Sequence, residues 1–113
     1  MIIEHRPSSP RLARVTAKLP VIEAWSATPT PLTNALKIDV PSVRRLVEHH
    51  LRLRQRGLFI GGTCGEGPFL PRREFRALVA ATAAAARGRL QLAVQVTDNS
   101  SLRVLENIAE ARG

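Results

Sequence analysis

Apolar and polar positions along the chain follow one order, repeated. A short continuous apolar run leads into a loop of glycine, proline or small polar residues, and then into a stretch with apolar residues at helical spacing. Val21 to Thr28 is short, apolar-rich and closed by Pro29 and Pro31, as expected of a buried strand running into a loop. Trp25 within it is expected in the core. Asp39 stands where a helix N-cap belongs and Pro41 fits the first turn, since its missing N–H would have no partner there. Val43, Leu46, Val47, His50 and Leu51 recur on one helical face, and Gly57 is expected as the C-terminal cap.

The order then recurs. Leu58, Phe59 and Ile60 form an apolar run ended by the glycine-rich segment Gly61 to Gly67. Pro71 opens a second helix with Phe75, Leu78, Val79 and Thr82 on one face, which Ala80, Ala81 and Ala83 to Ala86 extend with the best helix former and Gly88 ends. Leu90 to Val96 reads as a third strand and Asp98 to Ser101 as a polar cap region. Leu102, Leu105, Ile108 and Ala109 form a third helical stripe, with Gly113 as a further stop. Strand starts at Val21, Leu58 and Leu90 lie about 32 to 37 residues apart, the length of a strand–helix unit with its loops. Such alternation predicts an α/β fold with a parallel sheet, either part of a doubly wound sheet or a piece of a barrel. In both, the strand-to-helix loops share one edge, where α/β enzymes hold their chemistry.

Length and charge narrow this picture. A chain of 113 residues holds one small domain, expected over residues 19–113. Residues 1–18 carry Arg6, Arg11, Arg14 and Lys18 against Glu4, with Pro7 and Pro10, and are expected to be a flexible basic arm. That arm lacks the long apolar stretch of a secretory signal, and no apolar run approaches the roughly 20 residues of a membrane span. The net charge of +8 raises nucleic acid as a partner. The arginines are spread along helices, however, and no aromatic stacking platform lies between them, so solvated helix faces are expected instead. The single cysteine, Cys64, has no disulfide or metal partner, which fits a reducing cytoplasm, and no cofactor or metal is expected.

The segment with chemical content is Gly61-Gly62-Thr63-Cys64-Gly65-Glu66-Gly67. Its glycines let the backbone turn sharply and let a ligand approach the amides. A hydroxyl, a thiol and N–H groups near a helix start suit a carboxylate or other small anion, although a tight turn without a ligand is the competing reading. A P-loop would need Lys followed by Ser or Thr after the last glycine, and the dinucleotide fingerprint and the nucleophile elbow fail on glycine spacing. No base stands near Cys64 in sequence to make it a nucleophile. His49 and His50 are adjacent on a helix and cannot share a metal. Glu66 is expected to anchor its own loop rather than act as a general acid.

The run Trp25-Ser26-Ala27-Thr28-Pro29-Thr30-Pro31, then Ile38-Asp39-Val40, then Gly62-Thr63-Cys64-Gly65-Glu66, resembles the start of the dihydrodipicolinate synthase / N-acetylneuraminate lyase family. Leu70, Glu74, Gly88-Arg89 and Asn99-Ser100 extend the resemblance over Leu19 to Gly113. It implies the first three strand–helix units of a (β/α)8 TIM barrel, incomplete here, in a dimeric or tetrameric lyase acting on pyruvate or related 2-keto acids. By resemblance, Thr63 relays a proton, Cys64 contacts the keto-acid carboxylate where the family has Thr or Ser, and the region of Gly65 lends amides, while Thr28 is structural. The resemblance also implies a Schiff-base lysine on the sixth strand and a tyrosine on the fifth. This chain has no tyrosine, and its only lysines are Lys18, before the first strand, and Lys37, on an exposed loop. The expectation is therefore an N-terminal fragment or truncated reading frame, inactive alone. The alternative is a non-catalytic α/β module that binds an anion or a protein.

Overall fold

A computed structural model describes residues 22–112. The expected arm, the strand start at Val21 and the stop at Gly113 lie outside the described residues. The elements run β1 (Trp25–Ala27), α1 (Val40–Arg52), β2 (Gly57–Ile60), a 3-10 turn (Gly67–Phe69), α2 (Arg72–Ala86), β3 (Gln91–Val94) and α3 (Ser101–Arg112). The three strands form one parallel sheet in the order β1-β2-β3. Trp25 pairs with Gly57 and Gly57 with Gln91, so side chains at these positions share a face.

Strand order that follows chain order, with right-handed crossovers, puts every helix on one side of the sheet. In agreement, α1 packs beside α2 and α2 beside α3. Each half of a doubly wound sheet has the same order before its strands reverse, so this arrangement fits an arc of a (β/α)8 barrel wall and one such half alike.

The core lies between the arc and its helices. Leu58 and Ile60 of β2 meet Val43 and Val47 of α1, Leu78 and Ala86 of α2, and Ile38 and Leu90 from the connections. Burying each large aliphatic side chain contributes about 1.5–3 kcal/mol, so this layer is the main source of cohesion. Asp39 caps α1 as its sequence position predicts, accepting from the Ser42 N–H at 3.2 Å. His50 joins α1 to the sheet. A carbonyl can only accept, so Nδ1 carries the proton bonded to the Leu46 oxygen at 2.8 Å, and Nε2 accepts from the Ser26 hydroxyl at 3.0 Å.

Four expectations fail here, for identifiable reasons. Trp25 is not core: it is 43% exposed, because β1 turns it to the face that no helix covers. Gly57 does not cap α1. The helix ends at Arg52, Arg54 takes the left-handed conformation, and Gly57 begins β2. In the third stripe, Leu102 and Leu105 are exposed, since nothing among the described residues packs on that side of α3. The third strand is also shorter than Leu90 to Val96, because pairing with β2 stops at Val94. No described helix is long and apolar enough to cross a membrane.

Candidate functional site

The three strand-to-helix connections meet at the C-terminal edge of the sheet, tied by main-chain bonds. The Thr28 N–H donates to the Phe59 carbonyl at 3.1 Å, and the Gln95 N–H to the Ile60 carbonyl at 3.0 Å. The connection after β2 folds into a compact turn. Gly65 and Gly67 both donate to the Gly62 carbonyl, at 3.0 and 3.1 Å, and Glu66 donates to the Thr63 carbonyl at 3.1 Å. Glycine is required at Gly67, where a Cβ would lie 1.7 Å from the Gly61 carbonyl oxygen.

This turn presents Thr63 and Cys64 side by side at its exposed tip and buries Gly65 beneath them. Among the described residues, neither the Thr63 nor the Cys64 N–H has a protein acceptor. The edge therefore offers one hydroxyl, one thiol and two adjacent amide donors, a set suited to a small oxyanion. The Gly65 N–H is not part of that set, since Gly62 accepts it. Glu66 does not anchor the loop through its carboxylate. It is exposed, has a left-handed backbone (φ 54°) and makes no side-chain cap bond, so only its main chain holds the turn.

Two residues whose chemistry the sequence does not advertise hold this turn from outside. The Thr30 hydroxyl donates to the Gly65 carbonyl across the edge. Glu74, 4% exposed in the first turn of α2, accepts from the Ile38 N–H at 3.0 Å and pairs with Lys37 at 3.2 Å and Arg73 at 3.3 Å. The Ile38 N–H, and then Lys37 and Arg73, hold the Glu74 carboxyl below its ordinary range against the opposing effect of burial. Acids are common in first helical turns, so the position alone does not single Glu74 out. Lys37 is half exposed and occupied by this pair.

A cavity of about 210 Å³ lies beside the turn, between Pro68, Phe75, Asp98 and Asn107. Thr63 and Cys64 do not line it. Its charged side chains and Asn107 are paired: Arg103 with Asp98 at 2.7 Å, Arg72 with Glu106, and the Asn107 amide with the Val96 carbonyl at 3.2 Å. Among the described residues, no group of His, Cys, Asp and Glu is arranged to hold a metal ion.

The exposed hydroxyl and thiol stand above the carboxyl ends of a one-sided parallel sheet, the edge at which (β/α)8 barrels hold their chemistry. The sequence profile of the dihydrodipicolinate synthetase family matches residues 21–110, and the chain belongs to that family. It is 28% identical over 88 residues to 4-hydroxy-tetrahydrodipicolinate synthase of Exiguobacterium sibiricum, covering 78% of this chain and 30% of that protein. It is 34% identical over 67 residues to N-acetylneuraminate lyase of Citrobacter koseri, covering 59% of this chain and 23% of that protein. The chain thus spans less than a third of the length of these curated relatives. The fold is similar to the chloride-inhibited dihydrodipicolinate synthase of Acinetobacter baumannii complexed with pyruvate. The TM-score is 0.75 at 23% identity, over 80% of this chain and 31% of that one.

Proposed function

We propose that this chain supplies the carboxylate-binding part of a class I aldolase or lyase site acting on pyruvate or a related 2-keto acid. The observation that carries the reading is the turn after β2. It exposes Thr63 and Cys64 together at the C-terminal edge, with two neighbouring amides that no described protein group accepts. The Acinetobacter baumannii structure of similar fold is complexed with pyruvate, a small keto acid whose carboxylate needs such donors. In this reading Cys64, with the Thr63 and Cys64 amides, holds the carboxylate, and the Thr63 hydroxyl passes a proton. Gly65 shapes the turn.

The remaining chemistry needs groups from other strands. A Schiff base forms when an unprotonated lysine amine attacks the ketone carbonyl and water leaves, which calls for a desolvated amine. Lys37 is half exposed and ion-paired to Glu74, so it is poorly suited to that role. The imine lysine and the relay tyrosine therefore come from later strands of an assembled barrel, working as a cytoplasmic dimer or tetramer.

Reductive trapping tests this division of labour. The 113-residue chain incubated with pyruvate and sodium borohydride is expected to keep its intact mass. Mixed with the complementary strands of a family barrel that carry the lysine and tyrosine, the adduct should form on that complement. A stable adduct on Lys37 of the chain alone would overturn the assignment.

A further inference from the structure

The strand-to-helix connections form a closed circuit around the candidate carboxylate turn. From the Gly61–Gly67 turn the chain enters α2, whose Glu74 N–H donates to the Pro71 carbonyl at 2.8 Å. The Glu74 carboxylate reaches back to the β1–α1 connection and accepts the Ile38 N–H at 3.0 Å. That connection is folded on itself. Leu32 and Ile38 form an antiparallel bridge, the Asp39 N–H donates to the Pro31 carbonyl at 2.9 Å, and the Thr33 N–H to the Lys37 carbonyl at 2.8 Å. Fixing Ile38 therefore fixes Pro31 and its neighbour Thr30, whose hydroxyl donates to the Gly65 carbonyl. Gly65 is packed so closely there that a Cβ would lie 3.0 Å from the Thr28 carbonyl oxygen. The path ends in the turn from which it began.

We propose that Glu74 is the positioning residue of the Thr63–Cys64 turn, acting through Ile38 and Thr30 rather than by touching a ligand. The proposal rests on the reading of that turn as a keto-acid carboxylate site. Three features favour Glu74 as the fixed point of the circuit. It is the only buried acid among the described residues, at 4% exposure. A buried carboxylate is retained only where donors satisfy it, and two of its donors, Ile38 and Lys37, come from the β1–α1 connection, while Arg73 is its neighbour in α2. Of these donors the Ile38 N–H counts most, because the Lys37 and Arg73 side chains are 52% and 75% exposed, where ion pairs are weak. A main-chain donor in the β1–α1 connection is also the one whose loss would loosen Thr30.

Amide hydrogen exchange on the 113-residue chain tests the circuit, with Glu74→Ala, Glu74→Gln, Thr30→Val and the Glu74→Ala/Thr30→Val pair. Glu74→Ala should speed exchange at Ile38, and also at Gly65 and Gly67, by about tenfold or more, the scale of losing a hydrogen bond to a charged group. Leu58 and Ile60 of β2 should keep their protection, which a general loss of stability would not allow. Glu74→Gln, which retains an oxygen for Ile38, should restore part of the protection. The pair should loosen Gly65 no more than either single change does, because both cut one path. Unchanged exchange at Gly65 in Glu74→Ala, or additive effects in the pair, would overturn the proposal. Equal loss at Leu58 and Ile60 would do so as well, by making Glu74 a general stabiliser. Pyruvate titration of the parent chain separates the two readings: failure to bind bears on the carboxylate site alone, and the exchange pattern decides the positioning role in either case.

Discussion

The indole of Trp25 lies across Gly57 of the adjacent strand, where a Cβ would sit 2.5 Å from indole Cζ3 and 2.7 Å from the Gln91 carbonyl oxygen. The first neighbour is a side chain that could swing away. The second is main chain in a paired strand and cannot. Gly57→Ala is therefore expected to cost about 1–3 kcal/mol, the range for overpacking, and to separate β1 or β3 from β2. Denaturant unfolding followed by the single tryptophan measures both effects, since a displaced indole changes its emission. An unchanged midpoint would contradict the packing described.

The third helix depends on few buried contacts. No residue of α3 is buried, and its ties to α2 include the ion pairs Arg72–Glu106 and Arg76–Glu110, largely at the surface. Ion pairs near the surface are weak and are screened by salt. Amide exchange in α3 should accelerate as sodium chloride is raised, while α1 and α2 are unaffected. Salt-independent protection of α3 would point to packing on Leu102 and Leu105, the exposed stripe.

Acid should open the same edge that Glu74 closes. Its folded-state carboxyl titrates below its ordinary value, chiefly because the Ile38 N–H bonds the charged form, with Lys37 adding to this. A depressed carboxyl contributes stability that is complete above the ordinary glutamate range and is lost as pH falls through the folded-state value. Ile38 exchange, corrected for its intrinsic pH dependence, should rise as pH drops through that window. Glu74→Gln should flatten the transition. The same transition in Glu74→Gln would assign it to other carboxylates held low, such as Asp39 and Asp98.

Much of this architecture is legible in residue order. Asp39 and Pro41 announce the start of α1 through capping chemistry, and the Leu58–Ile60 run announces a strand through its length and apolar continuity. These are local effects. Trp25 is misread because which face of a strand is covered depends on the side taken by the helices, not on local pattern. Gly57 is misread because α1 stops at Arg52, with Arg54 rather than a glycine taking the left-handed conformation. The exposed Thr63–Cys64 tip follows from glycine spacing, so the candidate site is visible early. Glu74 and Thr30 are not, because their partners, Ile38 and Gly65, are separated from them by 36 and 35 residues.

The tip residues should differ in what they tolerate. In an assembled barrel that turns over a 2-keto acid, Thr63→Val should lower kcat by roughly 10²-fold or more, the scale of a lost proton-transfer group. Cys64→Ser should be tolerated or beneficial, because a hydroxyl is a stronger donor than a thiol. Steady-state kinetics decide between the two roles. Activity indifferent to Thr63→Val would remove the proton-relay assignment.

The most direct measurement of the central claim is an amide-resolved NMR titration of the chain with pyruvate, at a concentration low enough to limit self-association through the uncovered sheet face. Saturable shifts are expected at the Thr63 and Cys64 amides, with smaller changes at Gly65 and none at the Asp98–Arg103 cavity nearby. Saturable shifts confined to that cavity, or no shifts at Thr63 and Cys64 up to saturating pyruvate, would contradict the assignment of the turn as the carboxylate site.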